Sequence, residues 1–282
     1  MSVYYTFCPL HSGPGASQDT LCGATESKET DSLLYAPIVC EKVTPQLMQY
    51  KDVPKVYETI EKSIAADPLD RYMSNTPDNH KKTKRWKAGR KAMIYLQWYK
   101  AIYDEAAWTV NRGESLIGLG DPTRKESPLD KVLGSLFVQL IKGIRDLAES
   151  KEQRKRSTEF MNKAMNTAKE VLGDRTTKMI EVSGLATTPE RQGRGYATAL
   201  AHLATDLADA RGVQSWLMSS NTINRGFYHE LGFEIVATFY VGNDNPTWNE
   251  PPVPIDIMVR EPKGASSSVD EKAVGLDPGF LV

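Results

Sequence analysis

The stretch from Met179 to Gly212 determines the fold of this 282-residue chain: MIEVSGLATTPERQGRGYATALAHLATDLADARG. It opens with a predicted strand, Met179–Leu185, which contains β-branched residues. Pro189 ends the strand, because proline has no main-chain N–H to donate. Gly193 and Gly195 then allow a loop with positive φ. Leucines and alanines at spacings of three and four residues predict a helix after the loop, and a glycine stands at its C-cap.

The loop and the helix together predict a site for a polyanion. The first turn of a helix has about four main-chain N–H groups without an internal partner, and the helix dipole adds roughly half a positive charge there. Glycines just before the helix let a phosphate reach these donors, and Arg191 and Arg194 add charge beside them. We therefore expect a pyrophosphate to be held mainly by main-chain groups.

The spacing of the loop excludes two common phosphate-binding motifs and matches a third. The segment lacks the lysine and hydroxyl of G-x-x-x-x-G-K-[ST], and it does not contain G-x-G-x-x-G. Gln192–Ala197, QGRGYA, resembles the [QR]-x-x-G-x-[GA] loop of the GNAT superfamily of acetyl-CoA-dependent N-acetyltransferases. Asn221–Phe233, NTINRGFYHELGF, resembles the N-x₆-Y-x₂-[LM]-G-F helix of that superfamily. The resemblance is strong over Lys178–Arg260, and the whole chain looks most similar to fungal members.

The resemblance implies an α/β fold with a central mixed, twisted sheet flanked by helices, in which parallel strands 4 and 5 splay apart. The pantetheine arm of acetyl-CoA would lie in the gap between them. Main-chain groups of Leu185 and Thr187 would pair with the pantetheine amides, and those of Leu185 and Ala186 would stabilise the thioester oxyanion. Asn221 would hold the arm from the other wall, or cap the next helix, or both. The residues expected at the acetyl-CoA site are Leu185, Ala186, Thr187, Gln192, Gly193, Arg194, Gly195, Tyr196, Ala197 and Asn221.

Tyr228 and Glu181 are the candidate catalytic residues. The resemblance implies that the Tyr228 hydroxyl lies near the leaving sulfur and acts as general acid, since a tyrosine with a pKa of about 10 is protonated at neutral pH. The alternative is a core aromatic residue beside Phe227. Strand alternation puts Glu181 on one face with Met179 and Ser183, where its carboxylate would accept the ammonium proton through water. The alternative for Glu181 is an ion pair with a neighbouring cation.

The composition excludes several classes of protein. Lys and Arg number 35 against 36 Asp and Glu, a net charge of −1, so overall charge gives no argument for nucleic acid. The sequence contains no run of 18 apolar residues, so no membrane span is predicted. Its first residues lack the pattern of a secretory signal. Three cysteines fit a reducing compartment, and we expect a cytoplasmic protein. They lack the C-x₂-C spacing of a metal site, so no metal is expected.

The N-terminal part of the chain gives weaker signals. Residues 1–32 are rich in Ser, Gly, Thr and Pro, and we expect an extension with little regular structure. Leu34–Val43 predicts a first strand. Thr44–Ala66 predicts a helix with Thr44 as N-cap and Pro45 in its first turn.

Two polar segments follow, each with two interpretations. For Asp67, Asp70 and Arg71, the resemblance allows an interpretation in which they border the amine acceptor. The favoured interpretation is a capping aspartate at a turn. His80–Lys91 contains seven Lys or Arg among 12 residues. A solvated helix face is favoured there over a surface for nucleic acid, because the rest of the chain compensates the charge.

The insertion at 123–175 is the feature that departs most from the minimal family fold, which has a short turn there. Apolar spacing predicts two helices in it, after a hairpin formed by Ala107–Arg112 and Glu114–Leu119. We expect a helical hairpin over the acceptor end of the cleft, where it would restrict substrate choice. The alternative is a homodimer contact, and the sequence does not separate the two.

The remaining strands complete the predicted domain at 33–261: Val213–Ser219, Glu234–Val241 and Pro254–Arg260. The polar loop between the last two, which contains Trp248, either closes one side of the acceptor pocket or connects the strands. Residues 262–282 form a C-terminal tail.

The predicted function is transfer of an acetyl or other short acyl group from acetyl-CoA to the primary amine of a small molecule, by direct attack in a ternary complex. The motif region contains no cysteine, which argues against a cysteinyl intermediate. Two alternatives remain open: a non-catalytic acyl-CoA-binding or regulatory protein, and a protein or peptide N-acetyltransferase.

Overall fold

The computed structural model describes residues 43–79 and 83–264. The predicted N-terminal extension, the three cysteines and nearly all of the first predicted strand lie outside these residues, as do residues 265–282 of the predicted tail. None of the helices in the described part of the chain combines the length and the hydropathy that crossing a bilayer requires.

Seven strands and seven helices make up the regular structure of the described ranges. The strands are β1 Gln46–Leu47, β2 Ala107–Val110, β3 Ser115–Gly120, β4 Ile180–Thr187, β5 Ser215–Ser219, β6 Glu234–Val241 and β7 Val253–Arg260. The helices are α1 Val53–Ser63, α2 Pro68–Ser74, α3 Lys84–Tyr103, α4 Pro128–Ala148, α5 Lys151–Leu172, α6 Tyr196–Arg211 and α7 Arg225–Glu230. The predicted strand, glycine loop and helix around residues 179–212 are confirmed.

The strands form one mixed sheet in the order β1-β2-β3-β4-β5-β7-β6. β4 and β5 run parallel, and every other neighbouring pair is antiparallel. Helices flank this sheet, so the predicted α/β fold class is confirmed.

The two faces of the sheet carry different helices because successive side chains of a strand point to opposite faces. Ile180, Val182 and Leu217 pack on one face with the buried side of α6 and with α7. Met179 and Trp216 point to the other face, where they pack with α5. α1 and α3 cover the rest of that second face, over β2, β3 and the end of β4.

A β-bulge interrupts β4 at Ser183. Gly118 of β3 pairs with Gly184, and the next residue, Leu119, pairs with Val182, so Ser183 has no opposite residue. A bulge changes the alternation of side chains along the strand. Its effect is seen beyond the bulge, where Leu185 joins the α6 side and Ala186 joins the α1–α3 side.

The predicted helix at Thr44–Ala66 begins in the wrong place. Residues 43–45 are not helical, and β1 follows them, with Gln46 opposite Thr109 of β2. α1 starts only at Val53, after a 3-10 turn, and carries its proline at Pro54. The Thr44–Pro45 pair resembles a helix start locally, but pairing with a strand far along the chain overrides it.

The two predicted helices of the insertion are present and pack on different partners. α4 packs along α3, whereas α5 packs across β6 and against α2. The inner side of α5 is buried around Phe160 and Ala164. α4 keeps an exposed apolar stripe at helical spacing, made of Leu129, Val132, Leu136, Leu140 and Leu147. We call these five residues the α4 stripe.

Candidate active site

A gap opens between β4 and β5 at the middle of the sheet. The two parallel strands pair only from Ile180 with Ser215 to Val182 with Leu217, although β4 continues to Thr187 and β5 to Ser219. Beyond this point the main chain of β4 has a neighbour on one side only, which is β3. The splayed strands that the sequence predicts are therefore present.

The main-chain groups of alternate β4 residues face the gap. Thr188 N donates to Glu114 O at 2.9 Å, so Thr188 belongs to a hydrogen-bonded pair with β3. Because hydrogen bonding alternates along an antiparallel strand, Ala186 also faces β3, whereas Leu185 and Thr187 face the gap. The expected pairing groups of Leu185 and Thr187 are thus correctly oriented. The Ala186 amide is directed to β3 in this register, and its expected role as an oxyanion donor stays a prediction.

The carbonyl of Thr187 already has two donors in this structure. Ser63 Oγ and Gln192 Nε2 each lie 3.2 Å from it. Gln192 was expected to contact pyrophosphate, and its side chain instead bridges the loop back to the end of β4. Sequence spacing gave no indication of the contact with Ser63, which is on α1.

The glycine loop has the conformation that the sequence predicts. Gly193 has φ +73° and Gly195 has φ +75°, and a Cβ added at either would have no neighbour within 4 Å. Gly195 is the N-cap residue of α6. Arg194 is exposed beside it, whereas Arg191 Nε is engaged by Glu114 Oε1 at 3.1 Å. The loop therefore offers main-chain donors and one exposed cation to an anion.

Tyr196 and Ala197 are buried in the first turn of α6 and pack in the core under the loop. The Tyr196 hydroxyl accepts a hydrogen bond from Asn111 Nδ2 at 2.8 Å. Asn111 lies in the turn between β2 and β3 and has φ +49°, which asparagine tolerates better than most residues. This contact fixes the start of α6 relative to the sheet, and sequence analysis missed it.

Asn221 and Tyr228 lie at the far wall of the gap, after β5. The Asn221 side chain accepts a hydrogen bond from Ile223 N at 3.1 Å, so the predicted cap is present. Tyr228 is 1% exposed, with its ring edge-to-face against Phe227 at 5.2 Å and against Phe233 at 6.1 Å. The ring is therefore packed in the core, which fixes its orientation, and this packing is compatible with either interpretation of Tyr228.

Glu181 stands over Gly120 of β3, on the α3 side of the sheet. A Cβ at Gly120 would lie 3.2 Å from Glu181 Oε2, and one at Gly118 would lie 2.6 Å from Ser183 Oγ. Desolvation by the surrounding protein raises the pKa of Glu181 to about 7. The carboxyl group has no ion pair within the described ranges, so the alternative of a strand salt bridge does not hold there.

A small cavity that is open to solvent adjoins this part of β4. It lies between α1, α3, β3 and β4, and none of the side chains that line it is charged. It meets the gap at Leu185 and Ala186. The residues that line the cavity are Ile60, Ile94, Gln97, Trp98, Ala101, Leu116, Gly118, Ser183, Gly184, Leu185 and Ala186.

Sequence analysis gave no indication that Ile94 and Trp98 line a cavity. The signal that was available is the G-x-G pattern of Gly118 and Gly120 in β3. Glycines within a strand frequently mark a place where another group approaches closely. Here they make room for Ser183, Trp98 and Glu181.

The polar residues that the sequence placed near the acceptor have structural partners. Asp67 caps α2 by accepting hydrogen bonds from Leu69 N and Asp70 N, and burial raises its pKa to about 6. Asp70 pairs with Arg90 at 2.7 Å, and Arg71 pairs with Glu250 at 2.6 Å. The favoured interpretation of a capped turn is therefore confirmed for Asp67. Within residues 43–79 and 83–264, no cluster of three His, Cys, Asp or Glu residues has the geometry to hold a metal.

Comparison with known proteins gives a family and a set of distant structural relatives. Arylalkylamine N-acetyltransferase 2 from Aedes aegypti has a TM-score of 0.49 and 15% identity over 78% of this chain and 99% of that one. Polyamine N-acetyltransferase from Drosophila melanogaster has a TM-score of 0.47 and 10% identity over 78% and 100%. No curated protein sequence is significantly similar to the chain. The family model of the acetyltransferase (GNAT) family matches residues 78–233, more than half of the sequence, and the chain therefore belongs to the GNAT family of acetyltransferases.

Proposed function

We propose that this acetyltransferase transfers an acetyl or other short acyl group from acetyl-CoA to the primary amine of a small molecule. The observation that carries the proposal is the meeting of two spaces at Leu185. One is the gap between β4 and β5, with the loop of Gly193 and Gly195 near its end. The other is the uncharged cavity on the α3 side of the sheet. A thioester at Leu185 and an amine in the cavity would be in contact.

The residues divide into a group that binds and a group that moves protons. Main-chain N–H groups of residues 193–196 and the Arg194 cation would hold the diphosphate, and Asn221 would contact the arm from the β5 side. The amide of Leu185 would donate to the thioester carbonyl oxygen as that oxygen becomes negative. Acetyl-CoA supplies the activated acyl group.

The chemical step would be direct attack of a neutral amine. The new bond joins the amine nitrogen to the acyl carbon, and the bond between that carbon and sulfur breaks. Glu181, with its pKa raised to about 7, would take the proton of the ammonium group through water. Tyr228 would donate its hydroxyl proton to the departing thiolate. The burial of both side chains supports these assignments.

Three finer expectations remain proposals that rest on the sequence. They are a fungal-type member of the family, a cytoplasmic location and a homodimer. The α4 stripe supports the homodimer, because a second copy would remove five exposed apolar side chains from water.

Acetyl-CoA binding is tested by calorimetry with a pair of aspartate variants on α6. Gly195→Asp puts a carboxylate beside the proposed diphosphate site, so we expect affinity to fall at least about tenfold. Gly212→Asp is the control, because Gly212 has φ +62° and equally open surroundings at the other end of the same helix. We expect it to change affinity less than about twofold, since aspartate tolerates this conformation.

Three outcomes are informative. No heat with wild-type protein would contradict acetyl-CoA binding, and equal losses in both variants would contradict the location of the diphosphate. Binding without consumption of acetyl-CoA across a library of amines would favour a non-catalytic acyl-CoA-binding protein.

A further inference from the structure

We infer that the cavity selects an amine with one ammonium group on an apolar body and rejects diamines and polyamines. The inference rests on the proposed function, because it names the acceptor class of the same site. It depends on what the cavity contains and on what the charged groups around it already bind.

The lining of the cavity suits an apolar, partly flat body. α1 and α3 contribute Ile60, Ile94 and the indole of Trp98, and β3 contributes Leu116. The polar side chains are those of Gln97 and Ser183, which are uncharged. The cavity is open to solvent, so the body of a bound amine would lie partly in the cavity and partly at its mouth.

One carboxylate is available to the acceptor, and it has a single role. Glu181 lies two residues before Ser183 in β4, so it precedes the residues that line the cavity, and it is on the same side of the sheet. In the proposed reaction it would take the proton of the reacting ammonium through water. A second ammonium at the other end of the substrate would lie among Ile94, Trp98 and Leu116, where no carboxylate compensates the loss of hydration.

The acidic groups on the neighbouring helices are not available to a second ammonium. Glu61 of α1 accepts a hydrogen bond from Arg90 Nε at 2.7 Å, and Asp70 of α2 pairs with Arg90 Nη1 at 2.7 Å. Arg90 therefore engages both carboxylates, and the three side chains together carry one net negative charge. The nearby Lys91 lies over the rings of Tyr57 and Tyr95, at 5.4 and 5.3 Å, and adds a positive charge that repels another ammonium.

The first test compares hexylamine with 1,6-diaminohexane, which have the same chain and differ by one terminal ammonium. Initial rates of CoA release with wild-type protein give kcat/KM for each amine. Calorimetry without acetyl-CoA gives the affinity of each amine for the cavity. We expect hexylamine to exceed the diamine at least about tenfold in both measurements, because a buried charge without a partner is costly.

The second test reverses the preference with one residue. Gln97→Glu puts a carboxylate in the cavity, and we expect the ratio of kcat/KM for the diamine to that for hexylamine to rise at least about tenfold. Gln97→Leu is the matched control, since it changes the same position without adding charge. It should keep the preference for hexylamine. Circular dichroism and acetyl-CoA affinity verify that each variant folds.

Each result supports or overturns the inference. The inference would be overturned if hexylamine and 1,6-diaminohexane differed by less than twofold in both kcat/KM and affinity with wild-type protein. Binding of neither amine would overturn it as well. Preferential binding of hexylamine without any acetyl transfer would support the cavity's selectivity and contradict the proposed function, so the two failures are distinct.

Discussion

At the scale of single residues, Glu181 combines a position at the centre of the sheet with a carboxyl group that burial makes a weaker acid. Its pKa of about 7 means that the group changes charge close to neutral pH. A raised pKa of an acid favours the protonated form in the folded protein. Desolvation of Glu181 therefore lowers stability progressively as pH rises from about 4.5 to about 7, with the full cost present above about 7, and this cost supports a functional role for the side chain.

The first prediction concerns the pH dependence of turnover. If Glu181 accepts the proton, kcat rises with pH through about 7, because only the carboxylate acts as a base. We expect Glu181→Gln to lower kcat and to remove this acid limb. Glu170→Gln, on the exposed side of α5, is the control and should retain it. Steady-state rates from pH 5 to 9 measure the limb, and its persistence in Glu181→Gln would assign the base elsewhere.

The second prediction concerns Tyr228. We expect Tyr228→Phe to lower kcat about 100-fold, since general acid catalysis contributes 10²–10⁴-fold, and to leave acetyl-CoA affinity nearly unchanged. The ring is retained, so its contacts with Phe227 and Phe233 remain. Tyr240→Phe removes a hydroxyl from a tyrosine that is 49% exposed and should leave both quantities unchanged. Wild-type turnover in Tyr228→Phe would exclude the hydroxyl from the reaction.

At the scale of elements, one buried arginine connects α5 to both α2 and the loop between β6 and β7. Arg156 donates hydrogen bonds to two carbonyl groups at the end of α2, Tyr72 O at 2.6 Å and Asn75 O at 3.1 Å. It also donates to Thr247 O at 3.0 Å, in the loop between β6 and β7. Its guanidinium lies over the rings of Tyr72 and Trp248, at 4.7 and 5.5 Å. The loop with Trp248 is therefore fastened to α5 and α2.

Arg156→Met is expected to destabilise the protein by about 3–5 kcal/mol, because it leaves three carbonyl groups and Glu152 without their buried partner. Urea unfolding followed by circular dichroism measures the free energy. Arg154→Met is the control on the same helix, since its ion pair with Asp146 is exposed and contributes at most about 1 kcal/mol. Equal effects of the two substitutions would contradict a buried anchor at Arg156.

Element boundaries show where local sequence suffices. β6 is observed at Glu234–Val241, as predicted, and α6 ends at the predicted C-cap glycine, Gly212, which has positive φ. These signals act within one turn of the chain. The predicted start of the first helix was wrong because Gln46 pairs with Thr109 of β2. A local capping signal contains no information about such a distant pairing.

At the scale of the whole molecule, the α4 stripe is a large apolar surface whose members are 50–70% exposed. We expect sedimentation equilibrium to give a mass that rises with concentration towards twice 31.4 kDa. Leu136→Lys combined with Leu140→Lys should give the monomer mass, because two buried charges would oppose association. Ile223→Lys changes a residue that is 52% exposed outside the stripe and should retain the dimer. A monomer in all three proteins would contradict the homodimer.

The sequence by itself determined the strand, the glycine loop and the helix of residues 179–212. β-branching, positive φ at glycine and apolar spacing act between neighbours, so they can be recognised in a single stretch. From those residues and the segment after β5, the family followed. The fold class followed from the resemblance to that family.

Only the tertiary structure decided the chemistry around that frame. The cavity requires α1, α3, β3 and β4, which are distant in sequence, and the direction of the Ala186 amide depends on the register with β3. The pKa of Glu181 depends on how much water the surrounding elements exclude. Burial and register are properties of the assembled chain, and no local pattern of residues encodes them.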